Sequence, residues 1–250
     1  MTTGLGGKSA IVTGAASGIG RAIAIALAEE GCGLFLIDRA PPDETAAVAE
    51  TIVAAGGKAF AVQADIADEA QVLSAIAQAL GRFVRLDILV NNAGILIEKP
   101  LLDTTAADFD AVLGVNLRGA FLVGRETLRH MVAQRSGRVI NIASELAYLG
   151  RANTSVYCAS KGGIISMTRS WAREFAPDIL VNAIAPGPTD TAMLEAHSTA
   201  PETLEKETDI PLRRIAQPEE IASAAVFLAG PGATFITGQC ISPNGGAVMF

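Results

Sequence analysis

The chain has 250 residues, half of them hydrophobic, with 26 acidic against 19 basic side chains and a formal net charge of −7. That length suits one large α/β domain or two small ones, and the acidic balance argues against nucleic-acid partners and anionic membrane surfaces, which both call for positive charge. Two histidines outside any ligand cluster argue against a zinc site, and Cys32, Cys158 and Cys240, odd in number and far apart, read as reduced thiols of a cytoplasmic protein.

The N-terminal MTTGLGGKSAIVTG shows no charged segment leading into an unbroken apolar one, and no run approaches the ~18 apolar residues of a membrane span. Neither a signal peptide nor a membrane partner is expected. The first strand, KSAIVTG, runs into TGAASGIGRA, and a helical pattern, GRAIAIALAEEG, follows. Gly14, Gly18 and Gly20 therefore fall at a strand-to-helix junction. Missing side chains there let the backbone approach a pyrophosphate, and the helix N-terminus offers free N–H groups and partial positive charge. The candidate cofactor residues of this loop are Gly14, Ser17, Gly18, Ile19 and Gly20. The second strand, GLFLID, ends on Asp38. A carboxylate there can accept both ribose hydroxyls of an adenosine and would repel a 2′-phosphate, so NAD is preferred over NADP, with Arg39 able to soften that preference.

KAFAVQAD, LDILVNNAG, GRVINIAS, ILVNAIAP and GQCISPNGG are the remaining strand candidates, interleaved with Ala-rich helical stretches such as DEAQVLSAIAQAL. Runs without in/out alternation point to strands buried on both faces, and repeated β-then-α order predicts a doubly wound parallel sheet in one domain, residues 1–250. Residues 189–214 stand apart: mixed, polar, interrupted by Pro201 and Pro211, and without an evident strand. A connection of that length reads as a substrate-binding lid.

The segment YCASKGG places Tyr157 and Lys161 one helical turn apart on one face. Such a pair is an ordinary surface feature or a proton donor whose pKa a neighbouring ammonium lowers. Order decides between them. TGAASGIG, NNAG at Asn91 to Gly94, Asn116 in GVNLRGAF, Ser144 in NIASELAY, YCASK and NAIAPG occur in the sequence of motifs that resembles the short-chain dehydrogenase/reductases, from Gly7 to Gly246. The resemblance implies a seven-stranded Rossmann fold and hydride transfer between a nicotinamide and a ketone or secondary alcohol. It makes Tyr157 the general acid or base and a cofactor-binding residue as well, and has Lys161 lower its pKa and bind the nicotinamide ribose. Ser144 would hydrogen-bond the substrate oxygen, and Asn116 would hold a water linking Lys161 to solvent. Asp65 and Ile66 would reach the adenine, Asn92 and Gly94 would lie along the adenosine, and Pro186, Gly187 and Thr191 would close over the nicotinamide. The resemblance also implies a homotetramer, to which the apolar GGIISM is the one sequence hint.

Elementary chemistry agrees with that assignment. A free tyrosine, with a pKa near ~10, is a poor base at neutral pH, and a lysine and a cationic ring both stabilise phenolate. Two donors, Ser144 and Tyr157, suit a carbonyl oxygen gaining negative charge. Ile95, Leu96, Ile97, Glu145, Leu146, Tyr148, Met193, Leu194 and His197 are the candidate substrate-facing residues. They form a mostly apolar wall, with Glu145 read as turned to water. His130 and His197 receive no catalytic role. Gly162 and Gly163, costly in a helix by ~1 kcal/mol each, suggest close approach to the cofactor or to a second subunit.

Within the family the chain looks most like the 3-oxoacyl-[acyl-carrier-protein] reductase branch, in which Arg129 and Arg173 match arginines that dock the acyl carrier protein. Those reductases use NADPH, which Asp38 disfavours. The leading reading is therefore an NAD-dependent alcohol dehydrogenase or ketone reductase, and the acyl reductase is the alternative. A catalytically silent nucleotide sensor would not need Ser144, Tyr157, Lys161 and Asn116 together. A sugar-nucleotide epimerase would need a longer chain.

Overall fold

The computed structural model describes residues 4–197 and 201–249, without the side chains of 196, 197 and 201–203. Seven strands, β1 Ser9–Thr13, β2 Gly33–Asp38, β3 Lys58–Gln63, β4 Ile88–Asn91, β5 Gly137–Ile142, β6 Ile179–Ile184 and β7 Cys240–Ile241, lie inside the seven segments expected from sequence. They form one sheet in the order β3-β2-β1-β4-β5-β6-β7, and every pairing is parallel. β1, β4 and β6 are buried along their whole length. Apolar runs without alternation belong to strands with helices on both faces.

Helices α1 (Gly18–Glu29), α2 (Pro42–Ala54), α3 (Glu69–Arg82), α4 (Ala106–Leu113), α5 (Ala120–Gln134), α6 (Leu146–Leu149), α7 (Ser155–Phe175), α8 (Ala192–His197), α9 (Pro201–Thr208) and α10 (Pro218–Ala229) cover the sheet and its C-terminal edge. Ile23 and Leu27 of α1, Val48 and Ile52 of α2 and Ile221 and Leu228 of α10 share one core layer. Val72 and Ile76 of α3, Leu122 and Leu128 of α5 and Trp171 of α7 fill the other. Local signals set several boundaries. Asp68 caps α3 by accepting from the Ala70 and Gln71 N–H groups, and Thr105 with Asp108 forms a reciprocal capping box on α4.

α7 carries Tyr157 and Lys161, so its rotation about its own axis matters. Tyr157, Lys161, Ile164, Ile165, Thr168, Trp171 and Ala172 are buried on one face, the three-and-four spacing of an amphipathic helix. A buried polar chain pins that face: Asn91 donates to Asn141 Oδ1 at 2.9 Å, and Asn141 donates to Thr168 Oγ1 at 2.9 Å. Gly124 of α5 sits under the Trp171 ring, where an added Cβ would lie 2.3 Å from Cη2. Gly163, the second of the two glycines after Lys161, has an answer within the chain. A Cβ on Gly163 would meet Leu117 at 2.9 Å, whereas Gly162 faces open space, so the close approach is between helices of one subunit. Within GGIISM, Ile164 and Ile165 are buried in the chain's own core, whereas Ser166 is exposed.

Among its described residues the expected lid holds α8 and α9 and no strand; one isolated bridge, Thr189 to Ala216, ties its start to the segment that leads into α10. Among the described residues no helix is long and apolar enough to cross a membrane.

Candidate active site

The order of the strands reverses between β1 and β4, and in open parallel sheets ligands bind in the crevice at such a switch point, beyond the strands' carboxyl ends. A cleft of about 320 Å³ lies there. Its walls come from the ends of β1 through β6 and from the lid.

At one end Gly14 and Gly18 adopt φ of +65° and +52°, where an L side chain is strained. A Cβ on Gly14 would lie 2.7 Å from the Ala93 Cα, and one on Gly18 would lie 3.0 Å from the Thr191 methyl. Ser17, Gly18 and Ile19 line the cleft at the N-terminus of α1. Gly20 does not. A Cβ there would sit 2.0 Å from the Gly14 carbonyl oxygen and 2.4 Å from Asn92 Nδ2, so Gly20 closes the loop on itself. Asn92 has a similar task. Its Nδ2 donates to the carbonyls of Thr13 and Gly14 at 3.0 Å each, and Thr13 Oγ1 accepts from the backbone of Asn92 and Ala93. It lines the cleft, yet its amide nitrogen is engaged in bracing the glycine loop.

Asp38 and Arg39 lie beside that loop, with Asp65 and Ile66 opposite. The Asp38 carboxylate is held by the backbone N–H groups of Ala16 and Ala40, at 2.9 and 3.0 Å, leaving lone pairs for further donors. Asp65 Oδ1 accepts from Ala67 N–H at 2.8 Å. Gly94 completes the near wall. A Cβ there would come within 3.3 Å of Asn116 Oδ1 and 3.4 Å of Lys161 Nζ. A long groove with glycines where side chains would intrude, a helix N-terminus in the middle and a fixed carboxylate at one end fits a dinucleotide.

Ser144, Tyr157 and Lys161 stand at the other end, each less than a tenth exposed. Ser144 Oγ accepts from Leu146 N–H at 3.2 Å, at the start of the short α6. Lys161 Nζ donates to the Ile142 carbonyl at 2.8 Å and lies 5.7 Å from the centre of the Tyr157 ring. Burial pushes the Lys161 ammonium down to about 8. Tyr157 departs from expectation, being pushed up to about 12, chiefly by burial; a hydrogen bond with Ser144 pulls the other way, and Glu145 adds to the rise. The protein alone thus keeps the phenol neutral. Loss of hydration outweighs the Ser144 hydrogen bond.

Asn116 lies in a π-helical stretch, Gly114–Gly119, between α4 and α5, and such distortions often mark functional sites. Its Nδ2 donates to the Ile95 carbonyl and to Ser160 Oγ, and its Oδ1 accepts from Ile95 N–H at 2.7 Å. The side-chain donors are therefore taken. Asn116 clamps the loop after β4 to α7, and its expected water would have to sit on an acceptor.

Pro186, Gly187 and Thr191 line the cleft, as do Ile95, Leu96, Leu146, Met193 and Leu194. Ile97 faces a separate small hollow, and Tyr148 packs beside Ile164 and Cys240. The side chain of His197 lies outside the described residues. Glu145 corrects the expectation. It is 6% exposed, not turned to water, and Oε2 has no hydrogen-bond partner. Glu98, Arg151 and Glu207 line the same end of the cleft, and Arg151 Nη1 meets Glu207 Oε1 at 2.6 Å. These charges were missed because Arg151 and Glu207 meet only in three dimensions. Among the described residues no group of three or more His, Cys, Asp or Glu is placed to hold a metal.

Residues 14–248 match a family model described as enoyl-(acyl carrier protein) reductase. A 3-oxoacyl-[acyl-carrier-protein] reductase of Staphylococcus aureus is 41% identical over 97% of this chain and 98% of its own. Among solved structures, a candidate NAD(P)-dependent gluconate 5-dehydrogenase from Beutenbergia cavernae, with NADP bound at low occupancy, aligns with a TM-score of 0.93 at 39% identity, over 98% of each chain. A 3-ketoacyl-(acyl-carrier-protein) reductase from Brucella melitensis, complexed with NADH, aligns with a TM-score of 0.90 at 36% identity, over 98% of this chain and 100% of the other.

Proposed function

The chain belongs to the short-chain dehydrogenase/reductase family and is an NAD(P)-dependent oxidoreductase; from that premise we propose that it reduces ketones, or oxidises secondary alcohols, with Tyr157 as the proton-transfer group. The carrying observation is the convergence of Ser144, Tyr157 and Lys161 at the end of a dinucleotide-shaped cleft. A bound nicotinamide supplies or receives the hydride. The chain's residues do the rest. Ser144 Oγ and the Tyr157 hydroxyl donate to the carbonyl oxygen as it gains charge. Tyr157, neutral because burial holds its pKa near 12, then gives that oxygen its proton. Alcohol oxidation needs the reverse transfer, so it calls for phenolate and gains with rising pH. Lys161, fixed by the Ile142 carbonyl, keeps positive charge close to the proton path and within reach of the cofactor ribose.

Asp38 supports a preference for NAD, because its fixed carboxylate stands where a 2′-phosphate would add like charge. The lid role of residues 189–214 rests on Thr191 against Gly18 and on Glu207 over the cleft.

The second reading, a 3-oxoacyl-[acyl-carrier-protein] reductase, is supported by the names of the relatives. Arg129 and Arg173 are exposed on α5 and α7 as docking would require, although Arg129 already meets Glu126 at 3.4 Å. For a homotetramer the better support is the exposed Phe109 and Phe121 on α4 and α5, and light scattering tests it. The function itself is tested by turnover of the purified protein with NAD and NADP across ketones, secondary alcohols and 3-oxoacyl thioesters. Turnover of simple ketones with NADH supports the first reading, and activity confined to thioesters with NADPH supports the second.

A further inference from the structure

A substrate wall built for a hydrocarbon arm alone would have no reason to carry three carboxylates and a guanidinium. Glu145 follows Ser144 directly, so its backbone is fixed beside the proposed reacting centre. Its N–H donates to the Pro186 carbonyl at 3.1 Å. The side chain is more than nine-tenths buried, lines the cleft and has one oxygen without a hydrogen-bond partner. Gly187 leaves it room, since a Cβ there would stand 3.0 Å from Oε2. Above it the lid contributes Glu207, which is buried and paired with Arg151 at 2.6 Å. Glu98 acts on the same guanidinium. Leaving a buried acceptor unpaired is costly, so a protein that keeps one in a ligand cleft has a partner for it in the bound state.

We infer that Glu145, with the Arg151–Glu207 pair, forms a polar subsite that binds a hydroxyl group of the substrate, and that the preferred substrates are hydroxylated ketones or polyols. The inference rests on the alcohol/ketone reading and sharpens it. Glu145 accepts from the substrate hydroxyl, and Arg151 and Glu207 offer a donor and an acceptor beside it. Burial and the neighbouring Glu207 push the Glu145 carboxyl up to about 7, against the pull of Arg151, so near neutrality it also serves as a donor. A neutral, two-way hydrogen-bonding group suits a hydroxyl better than an ammonium. A site made to pair with a hydroxyl discriminates strongly against the analogue that lacks it, whereas an apolar wall does not.

The test compares kcat/KM, with NAD, for 2-pentanol, 2,3-pentanediol, 2,4-pentanediol and 4-amino-2-pentanol, in the unmodified enzyme, Glu145→Leu and Glu145→Gln. NADH affinity by fluorescence serves as the check on folding. The expected result is a preference for at least one diol over 2-pentanol of about 10-fold or more. That ratio should collapse towards unity in Glu145→Leu, largely through KM, and survive in part in Glu145→Gln. A ratio that Glu145→Leu leaves unchanged, or a preference for the amino alcohol, overturns the hydroxyl subsite while leaving the oxidoreductase reading intact. Failure of the unmodified enzyme to turn over any of the four overturns the subsite together with the alcohol/ketone reading on which it rests, and leaves the 3-oxoacyl reductase reading standing.

Discussion

Replacing Glu145 with glutamine removes a titration that the fold has displaced. The carboxyl normally loses its proton near 4.5, and in the folded chain it does so at about 7. The folded state therefore holds a proton that the unfolded state has released between those two values. Stability falls as pH rises across that window and is constant above it. At about 1.4 kcal/mol for each tenfold change in proton affinity, the penalty reaches about 3 kcal/mol once both states are ionised. Glutamine keeps the size and a donor but cannot ionise. Urea unfolding of Glu145→Gln and of the unmodified protein should give similar stabilities at pH 4.5. They should diverge through pH 5 to 7, with the variant ahead by about 3 kcal/mol at pH 8. A gap independent of pH would refute the reasoning, because it would place the glutamate in water or in full pairing with Arg151.

Other consequences are equally direct. Glu145 raises the Tyr157 pKa, so Glu145→Gln should move the alkaline rise of alcohol oxidation to lower pH; an unmoved or upward-shifted pH profile would contradict that coupling. Gly20→Ala drives a Cβ into the Gly14 carbonyl; overpacking of that kind costs ~1–3 kcal/mol, and NADH titration should show affinity reduced by about 10-fold or more. Asn116→Ala orphans the Ile95 N–H and the Ile95 carbonyl, a loss of about 1–3 kcal/mol for each group left unsatisfied away from water that thermal melts would register. Asp38→Ala should raise the kcat/KM for NADP relative to NAD, and an unchanged ratio would count against the carboxylate as the discriminating group.

The central strands were legible because parallel strands buried on both faces announce themselves as unbroken apolar runs, and each of the seven segments holds one strand. The glycine loop was legible for the same local reason: a strand, three glycines and a helix occur within a short span. What escaped depended on contacts between distant parts of the chain. Gly163 is needed for Leu117, which no spacing reveals. The sequence also did not show that the amide nitrogens of Asn92, which lines the cleft, and of Asn116 brace other elements, through the Thr13, Gly14 and Ile95 carbonyls and the Ser160 hydroxyl. Glu145 was read as solvated because a charged residue after a strand usually is, and only the folded chain shows Gly187 beside it and Glu207 above it. The upward push of burial on Tyr157 was not legible, because the motif gives the ammonium's position but not the depth of burial around both groups.

The central claim is that the Tyr157 hydroxyl carries the proton in a site whose coenzyme binding is otherwise independent of it. Steady-state turnover of Tyr157→Phe, measured beside its NADH dissociation constant, tests this most directly. The account predicts a rate reduced by roughly 10²–10⁴ with NADH still bound. A phenylalanine variant that turns over at near-normal rate would contradict it.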